Sequence, residues 1–370
     1  MEISDLFEIT TSKGASDLLL TAGAPPMNRI HGSFKPMDYP DLSPKEVKRL
    51  VYSLLNEQQR MRFEEDKELD LSLGMGTEHR FRVNIYLQKG CVAAAFRPIP
   101  SDIPKLKTLG LPPLVYDLSF APQGLILITG PTGHGKSTTM ASMIDLINTN
   151  KCCHIISVED PIEYIHKHKS SVVDQRELGG DTHSFSSALK YCLRQDPDVI
   201  LVGEMRDLDT ISAALTAAET GHLVLATLHT NDAVQTIDRV IDVFPERQQQ
   251  QVRVQLSLCL EAVFSQRLIP KASGNGRVLS VEILRNVHAS AALIREGKTH
   301  QLYSVIETGM KDGMMTMDAS LISLYARGLI TREEAEMHMR HPQSLIDSIT
   351  KKGEGKKGEG LARKFLSRRS

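Results

Sequence analysis

The stretch ITGPTGHGKSTTM sets four residues between Gly130 and Gly135, with Lys136 and Ser137 directly after, a pattern able to hold a polyphosphate. Glycines let the backbone close on an anion, while successive N–H groups and the N-terminus of the next helix point at the phosphates. Lys136 adds charge at the β and γ positions, and Ser137 offers a hydroxyl to Mg²⁺. Thr132, Gly133, His134 and Thr138 complete the loop; His134 is expected to face solvent at an unconstrained position, with no role assigned. A plain glycine-rich turn would share the glycines. It would not need a strand before it and a helix after it, and this loop has both.

Binding alone is not hydrolysis, and nearby carboxylates supply the remainder. PDVILVGEMRD is an apolar strand ending in Gly203 and Glu204. Glycine stands where many such enzymes place an Asp, so Glu204 is expected to reach the ion through water and another carboxylate to serve as base. SVEDPIEY offers Glu159, Asp160 and Glu163 at the end of the strand HIISVE. Four carboxylates near a polyphosphate repel it unless a cation lies among them, which points to hydrolysis of a Mg-nucleotide. A solvated acidic turn is the alternative.

TGHLVLATLHTND adds two imidazoles, His222 and His229, which could be metal ligands, core residues or parts of a catalytic site. Along an extended run at about 3.3 Å per residue they stand roughly 23 Å apart and on opposite faces, so they cannot share one ion. His229 lies just past the C-terminal end of LVLATL, where a phosphate sensor would stand. His222 lies at the other end and serves either the turn after the preceding helix or a neighbouring subunit.

The elements that must position these groups alternate. From Gly124, the strands GLILIT, HIISVE, DVILVGE and LVLATL are separated by a helix to Asn150 and by the helices FSSALKYCLRQ and LDTISAALTAAE. Continuous apolar strands between helices mark a parallel-rich sheet covered on both faces, an α/β domain whose ligands bind at the C-terminal strand ends. After Gln248 the pattern reads as mainly helical, with Thr331 and Glu334 as a capping box.

Residues 1–100 read differently, as an α+β domain. LSPKEVKRLVYSLL has Ser43 as N-cap, Pro44 at the first helical position and Glu46 closing a capping box, and SDLLLTAG, RFRVNIYLQ and CVAAAFRPI read as strands. Between the domains, the stretch from Arg97 to Leu114 holds five prolines in 18 residues, so 101–121 is expected to be a linker. The P-loop domain with its C-terminal helices then runs over 122–345. Positions 346–370, whose last 20 residues hold eight Lys or Arg against two Glu, are expected to be a flexible tail.

In 370 residues with a net charge of −1 and 41% hydrophobic content, composition excludes both a disordered and a membrane-spanning chain. MEISDLFEIT lacks the basic and apolar segments of a signal peptide, so a cytoplasmic protein is expected. The five cysteines show no CxxC pair, which fits reduced thiols rather than a disulfide frame or zinc site. Without tryptophan and with 5% aromatics, the chain lacks stacking platforms for single strands, so a nucleic-acid motor is disfavoured and no nucleic-acid partner is expected.

GPTGHGKST, EDPIEY, VGEMRD and TGHLVLATLHTND, in this order, resemble the Walker A, Asp box, Walker B and His box of the secretion ATPase superfamily. SDLLLTAG, LIREGKTHQ and GMMTMD are similar to its type IV pilus retraction branch. The resemblance implies a homo-hexamer whose subunits pair a PAS-like N-terminal domain with a RecA-like one, closing on ATP and Mg²⁺. It implies Glu163 as the catalytic glutamate, Glu204 as the Walker B glutamate, and Arg82 and Arg97 as the arginines that meet the phosphates. It also implies twitching motility through pilus disassembly, at the cytoplasmic side of the inner membrane at the pilus base. The partners would be an inner-membrane platform protein and a second retraction ATPase. Retraction ATPases carry AIRNLIRE, whereas ASAALIRE here keeps Leu293, Ile294, Arg295 and Glu296 alone. The alternatives are therefore an accessory retraction paralogue or, less in keeping with the chain's length and missing zinc site, a pilus or type II secretion assembly ATPase. A nucleotide-dependent protein without turnover is a further rival, against which Glu163 and Glu204 argue.

Overall fold

The protein is described by a computed structural model covering residues 1–344 apart from 31, 76–78 and 101, so the basic tail lies outside the described residues. Helix α1 (Ile3–Ser12) precedes strands β1 (Asp17–Leu20), β2 (Met27–Ile30) and β3 (Ser33–Pro36). Helix α2 (Pro44–Tyr52) starts at the Ser43 cap, whose hydroxyl accepts the Glu46 N–H while the Glu46 carboxylate accepts the Ser43 N–H at 2.8 Å. Helix α3 (Glu57–Asp66) and strands β4 (Glu68–Met75), β5 (His79–Gln88) and β6 (Cys91–Ile99) follow. These strands form a sheet in the order β3-β2-β1-β6-β5-β4, antiparallel at every pairing.

Its core gathers Leu6 and Phe7 of α1, Val47 and Leu50 of α2, and Leu18, Val83 and Phe96 of the strands. Phe7 stacks on Phe81 at 4.1 Å, and truncating fully buried Leu50 to Ala would cost about 2–5 kcal/mol. Sequence reading found α2 alone of the three helices. Both others lack its signal: α1 is rich in β-branched residues, and α3 buries Phe63 alone, so neither shows a full apolar stripe.

The proline-rich stretch is not a featureless linker. It contains a 3₁₀ turn, Leu106–Thr108, and helix α4 (Pro113–Leu118), because Pro112 and Pro113 fall at the N-cap and first helical positions, where a missing N–H costs nothing. Beyond it come β7 (Gly124–Thr129), α5 (Lys136–Asn150), β8 (His154–Glu159), β9 (Val172–Glu177), α6 (Phe185–Cys192), β10 (Val199–Val202), α7 (Leu208–Glu219) and β11 (Leu223–Leu228). Helices α8 (Ala233–Asp242) and α9 (Glu246–Cys259) lead to β12 (Leu260–Pro270) and β13 (Arg277–Arg285). Helices α10 (His288–Arg295), α11 (Leu302–Thr308), α12 (Met317–Ala326) and α13 (Arg332–His338) end the described chain.

The second sheet runs β13-β12-β7-β11-β10-β8-β9, with β12, β7, β11 and β10 mutually parallel and β13 antiparallel to β12. The two strands β12 and β13 correct the mainly helical expectation after Gln248. Buried polar residues hid them: Ser265 bonds Thr129 at 2.9 Å and Gln266 donates to Thr139 at 2.9 Å, partners that no apolar periodicity reveals. Thr331 caps α13 by accepting the Glu334 N–H, while the Glu334 carboxylate faces His338 at 3.6 Å instead of closing a box.

Two compact units result. One comprises Met1–Ile103, Val158–His168 and Gln175–Ala188; the other comprises Pro104–Ser157, Lys169–Asp174 and the chain from Leu189. The first therefore takes in the segment bearing Glu163 as well as the N-terminal sheet. All five cysteines are free, and among the described residues no helix is long and apolar enough to cross a membrane.

Candidate functional site

Adjacency of β7, β11 and β10 in parallel register sets one edge of the sheet. Leu228 pairs with Thr129 and Val202 with Ala226, so the loops after all three strands leave from the same end. The first loop is the glycine-rich one, the second carries His229, and the third carries Glu204. Thr227 at the end of β11 ties the third loop down, its hydroxyl donating to the Gly203 carbonyl and its carbonyl accepting the Met205 N–H at 3.1 Å.

The loop's shape needs its glycines. Gly130 has φ 137°, and a Cβ there would lie 2.3 Å from the Gln266 carbonyl oxygen of β12. Gly135, at φ 86°, is the N-cap of α5 and leaves its backbone free to turn into the helix. Lys136, the first helical residue, is only 7% exposed, and its ammonium donates to the Gly130 carbonyl at 2.7 Å and the Pro131 carbonyl at 3.1 Å. Thr132 and Gly133 are exposed; Ser137 and Thr138 are half-buried on the first turn of α5.

His134 departs from its expected solvent-facing position. It is half-buried, and its Nδ1 accepts the Leu268 N–H of β12 at 3.0 Å, while Arg277 of β13 donates to the Gly133 carbonyl at 3.1 Å. The phosphate loop is thus clamped to the β12–β13 hairpin. Burial pushes the His134 pKa down, and the positive charges of Arg277, Arg267, Lys136 and His338 push it further, favouring the neutral ring that can accept.

His229 lies between loop and carboxylate. Its Nε2 is 3.2 Å from Glu204 Oε1, and its Nδ1 is 3.4 Å from both Lys136 Nζ and Thr132 Oγ1. An ammonium can only donate, so Nδ1 is the acceptor and Nε2 carries the proton toward Glu204. The other Glu204 oxygen accepts from Arg206 at 2.7 Å. Burial pushes the Glu204 carboxyl up, but the hydrogen bonds from Arg206 and His229 and the charge of Arg206 outweigh this and hold it below the usual carboxylate range. Sequence reasoning passed over Arg206, although it stands two residues from Glu204 in the same motif. His222 lies in the turn after α7, its Nδ1 2.9 Å from the Ala217 carbonyl oxygen.

A second group lies in the first unit. Arg82 and Arg97 sit directly opposite each other on β5 and β6, both exposed. Like charges so paired oppose folding, and Asp17 offsets them by accepting from Arg97 at 2.8 Å. A cavity of about 520 Å³ lined by Arg62, Arg80, Arg82, Asp160, Glu177 and Asp181 opens in the same unit. Glu163 is exposed in the segment after β8, its N–H 3.4 Å from Glu159 Oε2. Of the LIRE positions, Ile294 is buried under α10, Leu293 is half-buried, and Arg295 and Glu296 are exposed, Glu296 pairing with Lys298 at 2.8 Å.

Comparison with known proteins accords with this geometry. A model of the family described as Type II/IV secretion system protein matches residues 53–363. The type IV pilus retraction ATPase PilT of Pseudomonas aeruginosa is 49% identical over 345 residues, covering 93% of this chain and 100% of that protein. The type IV pilus ATPase PilU of the same organism is 44% identical over 338 residues, covering 91% and 88%. A crystal structure of the pilus retraction motor PilT with bound ADP superposes with a TM-score of 0.86 at 51% identity, covering 93% of this chain and 98% of that one.

Proposed function

The chain belongs to the type II/IV secretion system protein family, and from that premise we propose that it is an ATP-hydrolysing motor that retracts type IV pili and so drives twitching motility. The observation that carries the chemistry is the connection from Lys136 through His229 to Glu204 beneath the glycine-rich loop. The near-full-length likeness to a retraction ATPase carries the assignment of the work done.

In this reading the loop N–H groups and Lys136 hold the β- and γ-phosphates, and Lys136 exchanges its carbonyl partners for phosphate oxygens. Ser137 and the ionised Glu204 provide the hard oxygen donors that suit Mg²⁺, which would neutralise charge on the phosphates. Among the described residues no group of three or more His, Cys, Asp or Glu could hold a metal, so phosphate and water oxygens would complete its shell. Glu163 takes the proton from the attacking water, and Arg82 and Arg97 meet the charge that develops in transfer. His229 reports phosphate at Lys136 to the Glu204 carboxylate. Glu159 and Asp160 support the segment bearing Glu163, and His222 the turn before β11.

Six copies would form a ring in the cytoplasm against the inner membrane at the pilus base, working on a platform protein beside a second retraction ATPase. The exposed Arg295 and Glu296 would belong to the surface that tells retraction from assembly. Deleting the gene and imaging surface pili tests the proposal. Accumulated pili with lost twitching support it, bald cells would indicate assembly, and normal twitching in a strain with another retraction ATPase would indicate the accessory role that the likeness to PilU raises.

A further inference from the structure

Glu163 protrudes from a short segment without helix or strand, yet a base must be held in place to work. The backbone around it is gripped by two side chains of β9 that stand two residues apart and so project from the same face. Gln175 accepts the His166 N–H at 2.8 Å and donates its amide hydrogens to the Tyr164 carbonyl at 2.8 Å and to Glu159 Oε1 at 3.2 Å. Glu177 accepts the Ile162 N–H at 3.3 Å. Hydrogen bonds therefore fall on both immediate neighbours of Glu163, Ile162 and Tyr164, and on Glu159, whose other oxygen faces the Glu163 N–H.

Glu177 is itself anchored. It is 7% exposed, and its Oε2 accepts from Arg80 of β5 at 3.0 Å, while the Arg80 Nε donates to Ser72 of β4 at 2.6 Å. Its own N–H donates to Asp181 at 2.8 Å. A carboxylate this buried is retained where pairing and hydrogen bonds satisfy it, and here both do. Arg80 stands two residues before Arg82 on β5, so one strand carries both the anchor of the Glu163 segment and an arginine assigned to the phosphates.

We propose that Gln175 and Glu177, with Arg80 behind Glu177, are positioning residues for hydrolysis: they fix the backbone on either side of Glu163 and so aim its carboxylate at the attacking water. The proposal rests on the assignment of Glu163 as the base. None of the three side chains is assigned a contact with nucleotide. Their loss should therefore reach the chemical step and leave binding alone.

The test is steady-state ATPase kinetics with titration of a fluorescent ATP analogue on the full-length protein. In Gln175→Ala and Glu177→Ala, kcat should fall by about 10²-fold, the size of effect a 1 Å misplacement produces, with KM and analogue affinity within about twofold of the parent. Gln175→Glu and Glu177→Gln serve where the alanine variants fold poorly. Gln175→Glu keeps the acceptor for His166 but as a carboxylate loses the donor to Tyr164, so its kcat relative to the parent should rise as pH falls and the donor returns. A kcat within about twofold of the parent, or a fall matched by lost affinity, would overturn the proposal. Glu163→Gln, run alongside, separates the two assignments. Its loss of turnover with normal β9 variants sinks the positioning role alone, and its normal turnover sinks the role of Glu163 and this one with it.

Discussion

His229 Nε2 lies 3.2 Å from Glu204 Oε1, which joins the side chain after β11 to the carboxylate after β10. The opposite ring nitrogen faces Lys136, so in the proposed mechanism the imidazole would register what occupies the glycine-rich loop and pass it to a carboxylate with an Arg206 partner already in place. Glu204→Ala should therefore keep ATP binding and abolish turnover. His229→Ala should keep binding and lower kcat by about 10²-fold through lost alignment of Glu204. Nucleotide titration beside a phosphate-release assay checks both, and normal hydrolysis by Glu204→Ala would end the role given to it.

His134 makes stability depend on pH. Its folded pKa lies below the ordinary imidazole value, so between the two the unfolded chain binds the extra proton and folding loses free energy as pH falls. The contribution is present above the unfolded pKa and is lost as pH drops through the folded one. Thermal melts from pH 7.5 to 5 should show a fall that His134→Asn flattens, about the ~6.5 of a free imidazole and below. An unchanged slope in the variant would show that the Leu268 contact does not select the neutral ring.

The parts of this site that were legible in the sequence are those where one residue type is demanded by backbone or charge. GxxxxGKS marked its own loop, and Glu204 and His229 followed from their places after apolar strands. The strands β7, β10 and β11 could be read because their residues are buried on both faces, leaving only Thr129 and Thr227, near the strand ends, as polar residues. Strand β12 could not, since Ser265 and Gln266 are satisfied by Thr129 and Thr139, more than a hundred residues away in the chain. The same reason hid the clamp on His134 and the hold of Gln175 and Glu177 on the Glu163 segment: these residues acquire meaning from contacts that spacing does not encode.

Gly130 tests the close approach of loop and hairpin. An alanine there would put Cβ 2.3 Å from a backbone carbonyl oxygen that cannot swing aside, at a φ of 137° that L residues avoid. The conformational strain alone is about 1–3 kcal/mol. Gly130→Ala should lower the melting temperature and weaken ATP binding together, because relief requires the loop to leave β12. Binding at parental affinity would show that the loop tolerates the displacement.

Glu282 of β13 supports the site from below. It is 3% exposed, and its two oxygens accept the Ala233 N–H at the start of α8, at 2.9 Å, and the Met317 N–H at the start of α12, at 3.4 Å. Burial pushes its carboxyl up, with Asp232 adding to the rise against the opposing pull of the two N–H groups and Arg340. A raised acid pKa means the folded chain holds a proton that the unfolded chain has lost, so stability falls as pH climbs from the ordinary carboxylate value through the folded one. Glu282→Gln keeps one acceptor, for the closer Ala233 N–H, without the charge, and gives up the longer bond from Met317. It should melt at or above the parent temperature at pH 7 and lose that advantage near pH 4. Glu282→Ala leaves two buried N–H groups unsatisfied, a cost of about 1–3 kcal/mol, and frees the start of α8. Because α8 begins four residues after His229, the alanine variant should also lose turnover that the glutamine variant keeps. Equal melting temperatures for the two variants would show that Glu282 acts as neither cap nor buried charge.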